Sequence, residues 1–221
     1  MTLCRLCSNV AQPFYKDTRI FYICSRCGLI FTDRLLEAEE EKRHYVSQHD
    51  NEYDWLNFAR QLESMFGEKH GEYRIMDYGS GSGKLTDALR VMGYKVDSYE
   101  PMYDGIFEAN KYNKYDFIVL NEVIEHVVNI KEVLTDLYYL LKPKGRLFIK
   151  TLLTDDLIKN DSMFERLFDE WWYKNDFTHV SFFSTITFTY VTNNIFPDLK
   201  IILALQQNLW VASGSGRLPS V

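Results

Sequence analysis

The chain has 221 residues, of which 46% are hydrophobic, and a formal net charge of −6. That length fits one ordinary domain with a small appendage, and the apolar share suffices for a packed core. The acidic balance opposes broad binding to a phosphate backbone, no apolar run approaches the ~20 residues of a membrane helix, and the start "MTLCRLC" lacks a signal peptide's apolar stretch, so a cytoplasmic protein without a membrane span is expected.

The first elements in the chain are two cysteine pairs, Cys4-x-x-Cys7 and Cys24-x-x-Cys27. Each pair places two thiolates on one tight knuckle, and two knuckles together make a tetrahedral four-thiolate cage for zinc. The spacer "SNVAQPFYKDTRIFYI" is long enough for a hairpin, with "RIFYI" as a strand, and Gly28 suits the left-handed turn that closes a knuckle. Two disulfides or a redox pair are the competing readings. A reducing compartment disfavours the first, and a redox C-x-x-C normally comes singly. A structural zinc ribbon over residues 1–32 is therefore expected. Arg5 and Arg26, inside the knuckles, are thin evidence for nucleic acid.

Residues 33–70 read as a helical linker or lid. "RLLEAEEEKRHYVSQHD" is charged, with Leu35, Leu36 and Tyr45 as its apolar marks, while Trp55, Leu56, Ala59, Leu62 and Phe66 recur at helical spacing up to Gly67. His44 and His49 are either ordinary polar groups or part of that lid. From residue 71 to 212 strand and helix alternate: "YRIMDY", "KLTDALRVMG", "KVDSYEP", "YDFIVLNE", "IKEVLTDLYYLLKPKG", "GRLFIKTLL", then a closing pair "LKIILALQQ" and "NLWVASG". The pattern predicts an α/β, Rossmann-like doubly wound, mostly parallel sheet, with ligands at the carboxyl ends of the strands. Residues 213–221 read as a flexible tail.

The loop "DYGSGSG", Asp77 to Gly83, follows the first core strand. Tyr78 and Leu85 stand where a triphosphate loop needs Gly and Ser or Thr, and Lys84 stands where a dinucleotide fingerprint needs its third glycine. What remains, D-x-G-x-G-x-G, suits a ligand without phosphate whose cationic part wants an acid nearby. S-adenosylmethionine is such a ligand; an ordinary glycine-rich turn is the alternative. The expected contacts are Asp77, Gly79, Ser80, Gly81 and Gly83 in the loop, Glu100 and Pro101 after the second strand, and Asn121 after the third. Glu100 would accept both ribose hydroxyls, unless it only caps the next turn. Asp77 would face the ammonium, unless it only bonds loop amides.

"NEVIEHV" puts Glu122, Glu125 and His126 at i, i+3 and i+4, one face of a helix, and "DFTHVSFF" supplies His179. These four are the expected catalytic residues, either around a second divalent metal or in proton transfer with His179 as base. The alternative has the acid capping a turn and the histidines packed locally. Trp171, Trp172, Tyr173, Phe177, Phe182 and Phe183 form either a lid over the acceptor or the core of the sheet's far edge.

Taken together, D-x-G-x-G-x-G, the acid after the second strand, "YDFIVLNEVIEHV" and "LKPKGRLFIKT" resemble class I S-adenosylmethionine-dependent methyltransferases, firmly over residues 70–155. "CGLIF" and "WWYKNDFTHVSFFSTITF" resemble a narrower bacterial group of methyltransferase-like proteins with an N-terminal four-cysteine ribbon. E-x-x-E-H is also similar to ubiquinone-pathway O-methyltransferases, and the two Glu and two His to small-RNA 2′-O-methyltransferases. The resemblance implies the class I methyltransferase fold and methyl transfer from S-adenosylmethionine, and supplies no acceptor; the first expectation is a small molecule such as a sugar, quinol or lipid-linked precursor. The alternatives are an RNA methyltransferase using the ribbon as a clamp, and a non-catalytic module binding S-adenosylmethionine or a partner. One departure stands out: "PMYDGIFEANKYNKY", between Glu100 and Asp116, is too short for the usual helix and strand that hold the adenine. Tyr103 and Phe107 would stack on it instead, or a neighbouring loop would serve.

Overall fold

The structure, a computed structural model, describes residues 1–33, 54–66, 71–104, 113–159, 161–205 and 209–214. His44, His49, Gly67, Phe107 and residues 215–221 of the expected tail lie outside them. No helix among the described residues is long and apolar enough to cross a membrane.

The core sheet is built on β5 (Arg74–Tyr78), β6 (Lys95–Tyr99), β7 (Tyr115–Asn121) and β8 (Leu141–Lys150), all parallel where they pair. Two antiparallel strands, β10 (Leu199–Leu205) and β11 (Leu209–Gly214), complete the order β10-β11-β8-β7-β5-β6. The strand expected to end before the tail runs on through Ser213, which pairs with Arg146 and Lys200, to Gly214. Between β6 and β7 the chain makes one short helix, α3 (Pro101–Asp104), and no further strand of this sheet among the described residues.

Alternation along β7 explains the layering. Phe117 and Val119 join Ile75 and Phe148 on one face, where α1 (Trp55–Phe66) buries Phe58, Ala59, Leu62 and Phe66 and α2 (Lys84–Val91) buries Leu85 and Leu89. Ile118 and Leu120 join Met76, Leu147 and Ile149 on the other, against Ile130, Leu134, Leu137 and Leu140 of α4 (Ile130–Leu140). Helix α4 stops earlier than the sequence pattern predicts. Pro143 disfavours helical backbone just before it, so Leu141 turns extended and pairs with Tyr115.

The ribbon is not an appendage. Its strands β1 (Thr2–Leu3), β2 (Val10–Lys16), β3 (Ile20–Ile23) and β4 (Ile30–Thr32) form a meander, and a fifth strand, β9 (Ser181–Phe182), is supplied by the core domain. Phe31 pairs with Ser181 and Ile30 with Phe182. Cys4, Cys24, Cys27, Leu29 and Phe31 share one apolar cluster with Ile118, Leu147 and Phe183 of the core. Each large apolar side chain fully buried there contributes roughly 1.5–3 kcal/mol.

Candidate active site

The two cysteine knuckles are near-copies. In each, the first cysteine's carbonyl accepts from the residue after the second cysteine, Ser8 at 2.9 Å and Gly28 at 2.8 Å. Both of those residues have positive φ, 57° for Ser8 and 71° for Gly28. Cys4 Sγ lies 3.5 Å from Cys27 Sγ, and Cys7 Sγ lies 3.4 Å from Cys24 Sγ. All four sulfurs fall within 4.8 Å of one another. Disulfide sulfurs are only ~2.05 Å apart, whereas a tetrahedral zinc with ~2.3 Å bonds spaces its sulfurs by ~3.8 Å. The donor set therefore fits zinc. A thiol hydrogen bond from Cys27 pulls the Cys4 thiol down to about 5, and burial pushes Cys7 up to about 11.

Every expected cofactor group sits at the carboxyl end of a core strand. Gly79, Gly81 and Gly83 have φ of 73°, 55° and 77°. A side chain is disfavoured in that region, and at Gly79 a Cβ would also lie 2.5 and 2.7 Å from the two methyls of Val123. The loop is tied to β6: Tyr99 O accepts from Gly79 N at 2.7 Å and Ser80 N at 3.1 Å. Glu100, nearly buried, accepts from Gly81 N at 2.8 Å and from Met102 N at 3.2 Å. One of its carboxylate oxygens is thus fixed by the loop itself. Pro101 opens α3, and Tyr103 stands exposed beside it. Asp77 lies beneath the loop, 2% exposed, accepting from the Thr86 hydroxyl at 2.7 Å. Burial pushes its carboxyl up to about 6. Asn121 Oδ1 is buried with no hydrogen-bond partner.

Val123, packed against the loop, begins the segment that carries the acids and histidine. Glu122 ends β7 with φ 53°, and only Ile124–His126 is helical, as one 3₁₀ turn. The expected single helix face is therefore absent; tertiary contacts assemble the cluster instead. Glu125 is fully buried. Burial and the neighbouring Glu122 charge push its carboxyl far above the usual range, and its Oε2 has no partner. Its other oxygen accepts from the Tyr173 hydroxyl, which also reaches Glu122 Oε2 at 2.9 Å and Thr151 Oγ1 at 3.2 Å. Glu122 is more open and pairs with Lys150 at 3.2 Å.

The rings of His126 and His179 meet edge to face, 4.8 Å between centroids. His179 Nδ1 lies 2.7 Å from Tyr173 O, and His126 Nδ1 lies 3.1 Å from Thr178 O. A carbonyl only accepts, so each Nδ1 carries a proton, and in a neutral ring Nε2 then holds the lone pair. Burial lowers the His179 pKa, keeping the imidazole neutral. Ligand atoms of Glu125, His126 and His179 lie within 4.8 Å of one another; Glu122 does not join that group.

Tyr173, Phe182 and Phe183 are core, packed between ribbon and domain, while Trp172 and Phe177 remain exposed, at 69% and 39%. The sequence pattern counted Tyr173 only as an apolar residue; its hydroxyl between two carboxylates has no signal in spacing. Arg5 donates to Thr32 O and Val180 O at 2.5 and 3.1 Å, an internal clasp between ribbon and core.

A family model described as a methyltransferase domain matches residues 34–189. The ubiquinone biosynthesis O-methyltransferase of Rickettsia bellii (strain OSU 85-389) is 28% identical over 102 residues, covering 37% of this chain and 42% of that relative. The mitochondrial enzyme of the same name from Bos taurus is 27% identical over 105 residues, 36% of this chain and 28% of the relative. The chain thus spans less than half the length of these curated relatives. In fold it is similar to the 1,6-didemethyltoxoflavin-N1-methyltransferase of Burkholderia thailandensis, solved with 1,6-didemethyltoxoflavin and S-adenosylhomocysteine (TM-score 0.55, 13% identity, 93% of this chain and 100% of that one). It is similar also to the plantazolicin methyltransferase solved with a monoazolic desmethyl analogue and S-adenosylhomocysteine (TM-score 0.56, 15% identity, 81% and 92%).

Proposed function

Given that the chain belongs to the methyltransferase domain family, we propose that it moves a methyl group from S-adenosylmethionine to a small-molecule acceptor, a sugar, quinol or lipid-linked precursor. The observation that carries this reading is the junction of two halves. The glycine-rich loop, pinned to Glu100 through Gly81 N, abuts Val123, which lies between Glu122 and Glu125 of the acid–histidine segment. Donor and acceptor would meet at that junction.

The residues fit the donor. Gly79, Gly81 and Gly83, at positive φ around Ser80, put no side chain of their own in its way, Glu100 would take the ribose hydroxyls, and the unpartnered Asn121 Oδ1 suits an ammonium donor. S-adenosylmethionine supplies, when bound, an electrophilic methyl on a sulfonium. The chain must align the acceptor, exclude water and take its proton. His179 Nε2 is the base: neutral, its tautomer fixed by Tyr173 O, and buried. Tyr173, held protonated by burial and two carboxylates, keeps Glu122 and Glu125 together.

A second arrangement is favoured by the orphaned Glu125 Oε2. With His126 and His179 it makes a donor set for a divalent cation, which would acidify an acceptor hydroxyl. In the ribbon, Cys4, Cys7, Cys24 and Cys27 would hold a structural zinc, closed to substrate.

The test is an isotope-labelled S-adenosylmethionine assay over fractionated cell extract. Label is expected in the low-mass fraction and to vanish with His179→Ala while donor affinity is unchanged. Label in RNA, or none with intact donor binding, would replace this reading by one of the other two. Chelation after metal analysis separates the base from the cation arrangement.

A further inference from the structure

The ribbon contributes one group whose position the zinc cage does not explain. Arg19, at the turn between β2 and β3, has a side chain only 1% exposed. Its Nη2 donates to Lys174 O at 2.5 Å and its Nη1 to Asp176 O at 3.4 Å, residues 155 and 157 positions away. The guanidinium lies between the rings of Phe21 and Phe177, 4.7 and 4.6 Å from their centroids. Its charge partner is Asp17, at 3.3 Å, and its Nε is buried without a partner. A buried guanidinium with one donor left unpartnered is costly to keep in a packed fold.

What it grips is informative. Tyr173 O, which holds His179 Nδ1, directly precedes Lys174. Thr178 O, which holds His126 Nδ1, follows Asp176 by two residues. Asp176 O also accepts from His179 N at 3.1 Å, and Asp176 Oδ1 accepts from Thr178 N and Oγ1 at 2.9 and 2.6 Å. The two carbonyls bonded by Arg19 therefore lie between the two carbonyls that set the histidine tautomers. A planar fork holds both in a fixed geometry; an ammonium, a compact point charge with three rotatable donors, fixes their relative direction less well.

We infer that Arg19 is a positioning residue for methyl transfer: the ribbon's guanidinium fixes the backbone from Lys174 to Thr178, and that backbone orients the rings of His179 and His126. The assignment rests on the proposed role of His179 on the acceptor side. It gives the ribbon a part in catalysis through geometry, with no contact to substrate.

The test uses the full chain with Arg19→Met and Arg19→Lys. Zinc content and calorimetric affinity for S-adenosylmethionine are measured first, and at least one variant is expected to match the parent within about twofold in affinity. Long-range proton–nitrogen correlation of the histidine rings, assigned with His126→Gln and His179→Gln, then reads the tautomers. The parent is expected to show Nδ1–H forms for both, and the variants a mixed His179 signature. Label incorporation into the low-mass extract fraction is expected to fall roughly tenfold to a hundredfold, less in Arg19→Lys. An unchanged His179 signature in a zinc-loaded variant overturns the inference, as does loss of zinc from both variants, which would make Arg19 a residue of the ribbon's own fold. If the parent transfers no label yet the signature still shifts, the positioning stands and the methyl-transfer reading falls.

Discussion

Gly79 offers the sharpest check on the loop. Replacing it with Ala places an L-residue at φ 73°, a cost of ~1–2 kcal/mol. It also drives a Cβ to 2.5 and 2.7 Å from both methyls of Val123, so rotating that side chain brings no relief. Overpacking of this kind costs ~1–3 kcal/mol. The sum, ~2–5 kcal/mol, is a large part of the 5–15 kcal/mol that typically holds a domain together. Val123→Ala alone is expected to cost ~1 kcal/mol. In the double variant both methyl clashes are gone and, beside the backbone and deletion costs, only a tight contact to the Cβ of residue 123, at 3.2 Å, remains, so the two changes should couple favourably by ~1–3 kcal/mol. Urea unfolding of the four proteins gives this coupling directly, and calorimetry with S-adenosylmethionine should show affinity lost in Gly79→Ala and partly restored in the double variant. Additivity within ~0.5 kcal/mol would mean that loop and Val123 do not touch, and the junction of donor and acceptor sites would go with it.

Other consequences are as direct. Glu100→Ala removes the acceptor of Gly81 N and the expected ribose partner, so donor affinity should drop by ~1.5–3 kcal/mol, about tenfold to a hundredfold, by calorimetry. Metal analysis should find one zinc per chain, and chelation should speed hydrogen exchange in residues 1–33 and also across Ser181–Phe182, because β4 pairs with β9; loosening confined to the ribbon would contradict that pairing. Asp77 takes up a proton on folding between its ordinary pKa of 3.8 and about 6, so its contribution to stability is greatest below pH 4 and diminishes by ~3 kcal/mol as the pH rises past 6. Asp77→Asn should flatten that part of the stability–pH curve, and Glu125, raised for the same reason of burial, should act with the same sign.

The local signals were legible in sequence because each is short in range. Cysteine spacing, glycine alternation and the apolar run of β7 mark knuckle, loop and buried strand without reference to anything distant. The 101–115 segment reads as too short for a full-length helix and strand; residues 101–104 form α3, and 105–112 lie outside the described residues. What the pattern missed came from contacts between remote residues. Glu122, Glu125 and His126 looked like one helix face, yet a left-handed residue at Glu122 and a loop more than 50 residues later bring the cluster together. Tyr173 and Arg19 had no readable role, since the first works through its hydroxyl and carbonyl and the second through carbonyls 155 and 157 positions away. The fifth strand of the ribbon is two residues long, too short for any periodicity to reveal.

That fifth strand also bears on how the molecule is made. Arg5 and its acceptor Val180 are 175 positions apart, a stretch that takes roughly 10–35 s to synthesise at ordinary rates. Through that interval the first thirty or so residues have left the ribosome with Ile30–Thr32 as a bare hydrogen-bonding edge, the kind of surface on which nascent chains adhere to one another. The ribbon is completed only once Ser181 and Phe182 have been made, and a chain interrupted before them would leave its metal-binding end sticky however well its cysteines had closed.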